Sequence, residues 1–288
     1  MRIASNRIED ILKFALQELE GIYSINEIKQ MTYSLITHFC NIPKTSILAN
    51  NKQTILESEL LKLNFAIKDL KKEKPLQYII GYTDFYNIRI NLSHKVLIPR
   101  PETEELVDLI IKENRDRKGL KIADLGCGSG AIALALKKNI PECEVWAFDF
   151  DDNAINQTEE NAKSLHLDIK IEKKDLLKEN ITNLFFDIIV SNPPYVMEKE
   201  KNLMRDNVLN YEPHQALFVK DDNPLIFYQA IEKLSQLNLN PKGKIYLEIN
   251  ENLANSTALL FNKHNTKIVK DMFGKDRFIM VTTKLINN

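Results

Sequence analysis

Residues 121–136 read KIADLGCGSGAIALAL. Gly126, Gly128 and Gly130 fall between a short apolar strand and a helix expected near 129–139. Glycines at such a junction let backbone N–H groups come close to a ligand, and the helix N-terminus favours an anionic group. Gly126, Gly128 and Ala131 also fit G-x-G-x-x-A, and Asp149 ends the next strand about 20 residues on, the spacing of a dinucleotide fingerprint. With either kind of ligand Asp149 is placed to accept hydrogen bonds from a ribose diol.

On both sides of this stretch the pattern is one of short apolar strands separated by helical segments. KIADLG, EVWAFDF, IKIEKKD, FDIIVS, KIYLEI and RFIMVTT are the strands expected, with helices near 129–139, 152–165, 224–237 and 251–263. Such alternation predicts an α/β fold with a mostly parallel sheet covered on both faces. Upstream, Ile88, Ile90 and Leu92 alternate as a strand or hairpin would, and PRPETEELVD opens a helix with acids in its first turn. Further upstream, three apolar stripes at helical spacing begin at Ile8, Ile25 and Ile55, so residues 1 to 72 read as a small helical bundle that KKEKP at 71–75 brings to a stop.

Two further acids and a proline pair bear on the ligand. Asp124 lies just before the glycines, where a pyrophosphate would be repelled but a cofactor carrying an ammonium and a sulfonium is welcome. Asp175, in KKDLL, ends the third strand and can accept from an adenine amino group. SNPPYV, residues 191–196, follows the buried run FFDIIV, so its loop opens at the same carboxyl-end crevice as the glycine loop. Pro193 and Pro194 hold this loop stiff and cannot donate, which leaves their carbonyls and the Asn192 side-chain oxygen as acceptors for a guest that presents N–H groups. Tyr195 adds a flat face. An amide-accepting pocket beside a methyl donor makes chemical sense, and beside a hydride donor it does not. The three features together favour S-adenosylmethionine.

Composition narrows the classes. Of 288 residues 44% are hydrophobic and 27% charged, with a net charge of −1, so no global field draws the chain to nucleic acid or a membrane. No stretch reaches the roughly 18 apolar residues of a membrane span, and the charged N-terminus does not read as a signal peptide. Cys40, Cys127 and Cys143 lack CxxC spacing and the five histidines stand singly, so no disulfide framework and no metal site is expected, and the reducing cytoplasm is the simplest compartment. Cys127 reads as a small packing residue.

As a whole the chain resembles the release-factor glutamine methyltransferases, the HemK/PrmC family. The segments carrying the resemblance are LIPRPETEELVD at 97–108, DLGCGSGAIALAL at 124–136, SNPPYV at 191–196, YEPHQAL at 211–217 and GKDR at 274–277. It implies a Rossmann-like seven-stranded methyltransferase sheet over 99–288, a helical substrate-docking domain over 1–74, and a linker with a β-hairpin over 75–98. It implies methyl transfer from S-adenosylmethionine to the glutamine side chain of the Gly-Gly-Gln motif in peptide-chain release factors. A monomer is expected, and the balanced charge argues against a direct nucleic-acid partner. Residue by residue, Asp124, the loop Gly126, Cys127, Gly128, Ser129 and Gly130, and Asp149, Asp175, Leu176 and Asn192 would bind the cofactor. Asn192, Pro193, Pro194 and Tyr195 would hold the amide, with Asn192, Pro193 and Tyr195 as the catalytic group and Tyr195 stacked on the amide plane. Thr103 and Glu105 read as a helix start, and Glu212 either orders the lip of the site or meets the substrate protein, or else is a helix-capping or surface acid. Leu176 stands where the family often has an aromatic residue, and Asn250 where it usually has glycine. NPPY is shared with enzymes that methylate exocyclic base amines, so a nucleic-acid methyltransferase is the rival reading, and a cofactor-binding module without catalysis is a second.

Overall fold

A computed structural model describes residues 3–283; the ends of the expected domains, 1–2 and 284–288, lie outside the described residues. The chain divides into two compact units, Met1–Gly81 with Arg205–Tyr211, and Tyr82–Met204 with Glu212–Asn288. The N-terminal stripes fold as α1 (Ile8–Leu19), α2 (Ile25–Cys40), α3 (Lys44–Ala49), α4 (Glu57–Lys71) and α5 (Leu76–Ile80). Their apolar faces close on one core in which Ile11, Ala15, Leu35, Leu63 and Ile67 are fully buried. A reciprocal pair starts α2, with Ser24 Oγ accepting from Glu27 N and the Glu27 carboxylate accepting from Ser24 N, which satisfies two donors the helix itself leaves open.

The second unit begins with the expected hairpin, β1 (Tyr82–Phe85) and β2 (Ile88–Asn91), paired antiparallel. Its two turn residues, Tyr86 and Asn87, both have positive φ, as a two-residue turn matched to strand twist requires. Then come α6 (Pro101–Asn114), β3 (Lys121–Leu125), α7 (Ala131–Asn139), β4 (Glu144–Asp149), α8 (Asp152–Leu165), β5 (Lys170–Lys173), β6 (Phe186–Ser191) and β7 (Val196–Met197). The short α9 (Asp206–Tyr211) belongs to the helical unit, where Tyr211 Oη donates to Lys72 O at 2.8 Å. β8 (Phe218–Val219), α10 (Ile226–Asn238), β9 (Leu239–Glu248), α11 (Ala254–Leu260), β10 (Asn265–Lys270) and β11 (Asp276–Thr282) complete the chain.

Seven strands form the main sheet in the order β10-β11-β9-β6-β3-β4-β5. β5, β4, β3, β6 and β9 run parallel, and β11 is antiparallel to both β9 and β10. Central strands are apolar almost throughout because helices cover both faces: Ile122, Ala123, Leu125, Ile188, Ile189 and Val190 are all fully buried. The edges, KIEK in β5 and NTKIVK in β10, carry lysines that discourage further pairing. β10 is the strand of this sheet missing from the sequence reading, since its charges mask a half-exposed edge pattern, and the two-residue pair β7 and β8 was not expected either. From β3 the chain builds outward to β5 and then returns to β6 on the other side of β3, so the loops after β3 and β6 part at a switch point and leave a crevice at the strands' carboxyl ends. Among the described residues no helix is long and apolar enough to cross a membrane.

Candidate active site

The glycine loop leaves β3 with Gly126, Gly128 and Gly130 at φ +77°, +57° and +78°, conformations in which a side chain is strained. Gly126 N and Cys127 N both donate to Phe148 O, pinning the loop to the end of β4. The other clamp is the buried polar face of α8. Thr158 Oγ1 donates to Gly128 O at 3.2 Å, and Asn161 Nδ2 donates to Ser129 O at 2.9 Å. Asn161 also exchanges two hydrogen bonds with the backbone of Asn91, so one buried amide ties the loop to the hairpin. Nothing in the periodicity of α8 marked these residues as part of a site.

Two carboxylates lie against this loop. Asp149 accepts from Gly128 N at 2.9 Å and from Asp151 N at 3.0 Å, and burial raises its pKa. Asp124 is fully buried; its Oδ2 accepts from Ala133 N at 3.1 Å, while its Oδ1 has no partner among the described residues. Desolvation, with the Asp149 charge adding to it, pushes Asp124 up to about 7.

An open cleft of about 780 Å³, counting the space continuous with solvent, lies in the crevice. Gly126, Gly128, Asp149, Asp175, Leu176, Asn192, Pro193 and Pro194 line it, so the fold brings together most of the residues singled out in the sequence. Four others expected to bind the cofactor are not in its wall. Asp124 is buried, Cys127 Sγ lies 3.4 Å from Thr158 Oγ1, Ser129 is buried, and a Cβ on Gly130 would meet Thr158. Sequence reasoning missed Phe150, Lys174, Phe227 and the segment Lys95–Leu97, which also line it. The aromatic directly after Asp149 was a signal that could have been read. Asp175 reaches the cavity with its oxygens already engaged, by Leu177 N at 3.0 Å and by Lys178 at 2.7 Å, and the lysine lowers its pKa.

On the other side of Asn192 lies a smaller cavity of about 320 Å³, lined by Leu97, Arg100, Asn192, Pro193, Tyr195, Val196, Ala216, Leu217 and Glu248. Asn192 and Pro193, with Leu97 and Ala216, therefore line both cavities. Asn192 Nδ2 donates to Thr103 Oγ1 at 3.0 Å, and among the described residues its Oδ1 accepts no hydrogen bond. The ring of Tyr195 packs against the sheet core, and its hydroxyl donates to Glu248 Oε1 at 3.0 Å. Burial and the nearby Glu248 charge raise the pKa of that phenol. Glu212, buried, accepts from Ile98 N at 3.1 Å and from Arg100 at 2.5 Å; it fastens the 97–100 segment, which contributes to both linings.

Residues 10–81 match the PrmC N-terminal domain family, and residues 103–217 the methyltransferase small domain family. The chain is 41% identical over 272 residues to the release factor glutamine methyltransferase of Flavobacterium psychrophilum, covering 92% of this chain and 95% of that one. The chain belongs to the release factor glutamine methyltransferase family. The enzyme of the same description from Bacteroides thetaiotaomicron is 37% identical, over 93% of this chain and 98% of its own length. A methyltransferase crystal structure from Pyrococcus furiosus, 18% identical, aligns with a TM-score of 0.52 over 80% of this chain and 100% of that one, a likeness of fold.

The two departures from the pattern of this methyltransferase family have local explanations. Asn250 has φ −70°, where glycine has no advantage, and its side chain accepts from Asn252 N while donating to Tyr195 O at 3.2 Å. It thus holds the end of the NPPY loop. Leu176 lies in the wall of the larger cavity with Phe150 also lining it, so an aromatic ring is available from the end of β4 instead of position 176.

Proposed function

We propose that this chain transfers a methyl group from S-adenosylmethionine to the side-chain amide nitrogen, N5, of the glutamine in the Gly-Gly-Gln motif of peptide-chain release factors. The observation that carries the reading is the Asn192 carboxamide in the wall between two cavities, its donor end engaged by Thr103 and its acceptor end unengaged. When bound, the cofactor supplies an electrophilic methyl carbon on a cationic sulfonium.

The larger cavity suits such a group. Asp149, Asp151 and Asp175 line it with Asp124 buried behind, against Lys95 and Lys174, and Lys174 lies 3.5 Å from Glu179. A cationic guest lowers the cost of ionising Asp124, whose Oδ1 is orphaned, whereas a pyrophosphate would raise it. Gly126, Gly128 and Asp149 would hold the cofactor's polar parts, and Leu176 and Phe150 its adenine. From the smaller cavity, Asn192 Oδ1 and the Pro193 carbonyl would each accept one N–H of the substrate amide. Two acceptors on one –NH2 group orient its lone pair, which is otherwise delocalised into the carbonyl, toward the methyl donor; the gain is positional and electrostatic. Asn192 is not basic enough to take the proton. Tyr195, hydrogen-bonded to Glu248, shapes the wall.

The test is to incubate the purified chain with methyl-labelled S-adenosylmethionine and a release factor, its Gln-to-Ala variant in the Gly-Gly-Gln loop, and total nucleic acid in parallel. Label on the wild-type factor alone is expected. Label only on nucleic acid would replace this reading with a base-methylating enzyme.

A further inference from the structure

Thr103 and Glu248 never entered the sequence argument as functional residues, yet they lie directly behind Asn192. Thr103, at the start of α6, is buried; Glu248, the last residue of β9, is buried too. Thr103 Oγ1 donates to Glu248 Oε2 at 2.7 Å, and Tyr195 Oη donates to Glu248 Oε1 at 3.0 Å. The Glu248 backbone is itself fixed, since Tyr228 Oη donates to its carbonyl at 3.1 Å.

The proton directions in this chain follow from its end. An ionised carboxylate accepts only, so both hydroxyls must point their protons at Glu248. Thr103 has one proton and spends it there. Toward Asn192 it can then only accept, and the end of the Asn192 amide that faces it must be the –NH2 end. Turning the amide over would set two acceptor oxygens against each other with no proton between them. We infer that Thr103 and Glu248 are positioning residues for the methyl transfer, fixing the Asn192 carboxamide so that its oxygen, and not its amino group, faces the substrate amide. This rests on the functional reading above and adds to it the reason why an acceptor stands at that wall.

Burial raises the pKa of Glu248, with Glu102 adding to the rise, while the hydrogen bonds from Thr103 and Tyr195 and the Arg277 charge favour the ionised form. Replacing Glu248 by glutamine would break the logic at its source without changing its shape. A glutamine can donate to Thr103, which frees the threonine proton to point at Asn192 and lets the amide turn over.

The experiment compares wild type with Thr103→Val, Thr103→Ser and Glu248→Gln, measuring kcat and KM for methyl transfer to the release factor and, separately, S-adenosylmethionine affinity by calorimetry. Thr103→Val and Glu248→Gln are expected to lower kcat on the order of 10- to 100-fold, the scale of a misoriented reacting group, with cofactor affinity held within about twofold of wild type. Thr103→Ser, which keeps the hydroxyl, is expected to retain most of the rate. Should Glu248→Gln fail to fold, the Val and Ser pair at 103 still decides the matter. Equal kcat in wild type and Thr103→Val, or equal losses in Thr103→Val and Thr103→Ser, would overturn the inference while leaving the function intact. A wild-type chain that labels only nucleic acid would overturn the functional reading and this inference with it.

Discussion

Gly130 and Gly126 share nearly the same backbone conformation, φ +78° and +77°, but not the same surroundings, and alanine at each should cost very different amounts. A Cβ on Gly126 meets nothing within 4 Å, so Gly126→Ala carries only the left-handed backbone term, about 1–2 kcal/mol. A Cβ on Gly130 would lie 2.8 Å from Thr158 Cγ2 and 3.0 Å from its Oγ1, well inside ordinary contact. Thr158 cannot give way easily. It is fully buried, β-branched in a helix, and its hydroxyl is hydrogen-bonded to Gly128 O. Overpacking of this kind adds about 1–3 kcal/mol, for a total of about 2–5 kcal/mol for Gly130→Ala. The chain's one tryptophan, Trp146, is in β4 of the sheet, so urea unfolding followed by its fluorescence reports on the right unit. In a Thr158→Ala background the two closest contacts are gone and only Leu134 Cδ1 at 3.2 Å remains, so Gly130→Ala should recover most of the way to the cost seen at 126. Equal destabilisation by the two glycine variants, or no recovery in the double variant, would refute the steric account.

Asp124→Asn should reverse a pH trend. The native carboxyl keeps its proton up to about 7, while the unfolded chain releases it near 4, so the native state is penalised progressively as pH rises between those values. Asp124→Asn should therefore gain melting temperature relative to wild type across that window, and a flat or opposite difference would count against the burial argument. Asn161→Ala removes three hydrogen bonds from a fully buried site and should cost roughly 2–4 kcal/mol in the same urea assay; a loss under about 0.5 kcal/mol would mean the loop and hairpin are held by other contacts. Glu212→Ala leaves the Ile98 amide and the half-exposed Arg100 unpaired, for a loss of about 1–3 kcal/mol. Since the 97–100 segment helps to line both cavities, methyl transfer should fall more than stability alone explains, and unchanged kcat would refute that link.

The parts of the site legible in the sequence are those whose reasons are local. Glycines at positive φ after an apolar strand, and two prolines that end another, declare their backbone needs within a few residues, and the strand and helix alternation orders them in one sheet. The illegible parts are long-range polar contacts. Thr103 meets Glu248 across 145 residues and Asn192 across 89, and Glu212 reaches Ile98 across 114. A threonine in a helix's first turn looks like any other until the fold shows it buried. The walls supplied by Lys95, Phe150 and Phe227 were missed for the same reason: a cavity is a property of neighbours in space. β10 was missed because an edge strand, wet on several sides, has no reason to be apolar.

The arrangement also bears on what kind of catalysis this wall can perform. Among the groups lining the smaller cavity the carboxylate is Glu248, and both its oxygens already accept hydrogen bonds from Thr103 and Tyr195. The raised pKa of Tyr195 leaves it a phenol at neutral pH, so it too offers no base. The proposed reaction does not need one at the start, because the amide is neutral when it attacks. Once methylated, the nitrogen carries a proton it holds so weakly that water can remove it. On this proposal catalysis consists of presenting the lone pair in line with the methyl carbon, and the wall would serve it with stiff prolines, an amide fixed by a directed hydrogen-bond chain, and acceptors where the –NH2 group would bind. A base at this position would add little, whereas an amide free to turn over would replace attraction with a clash between two donors.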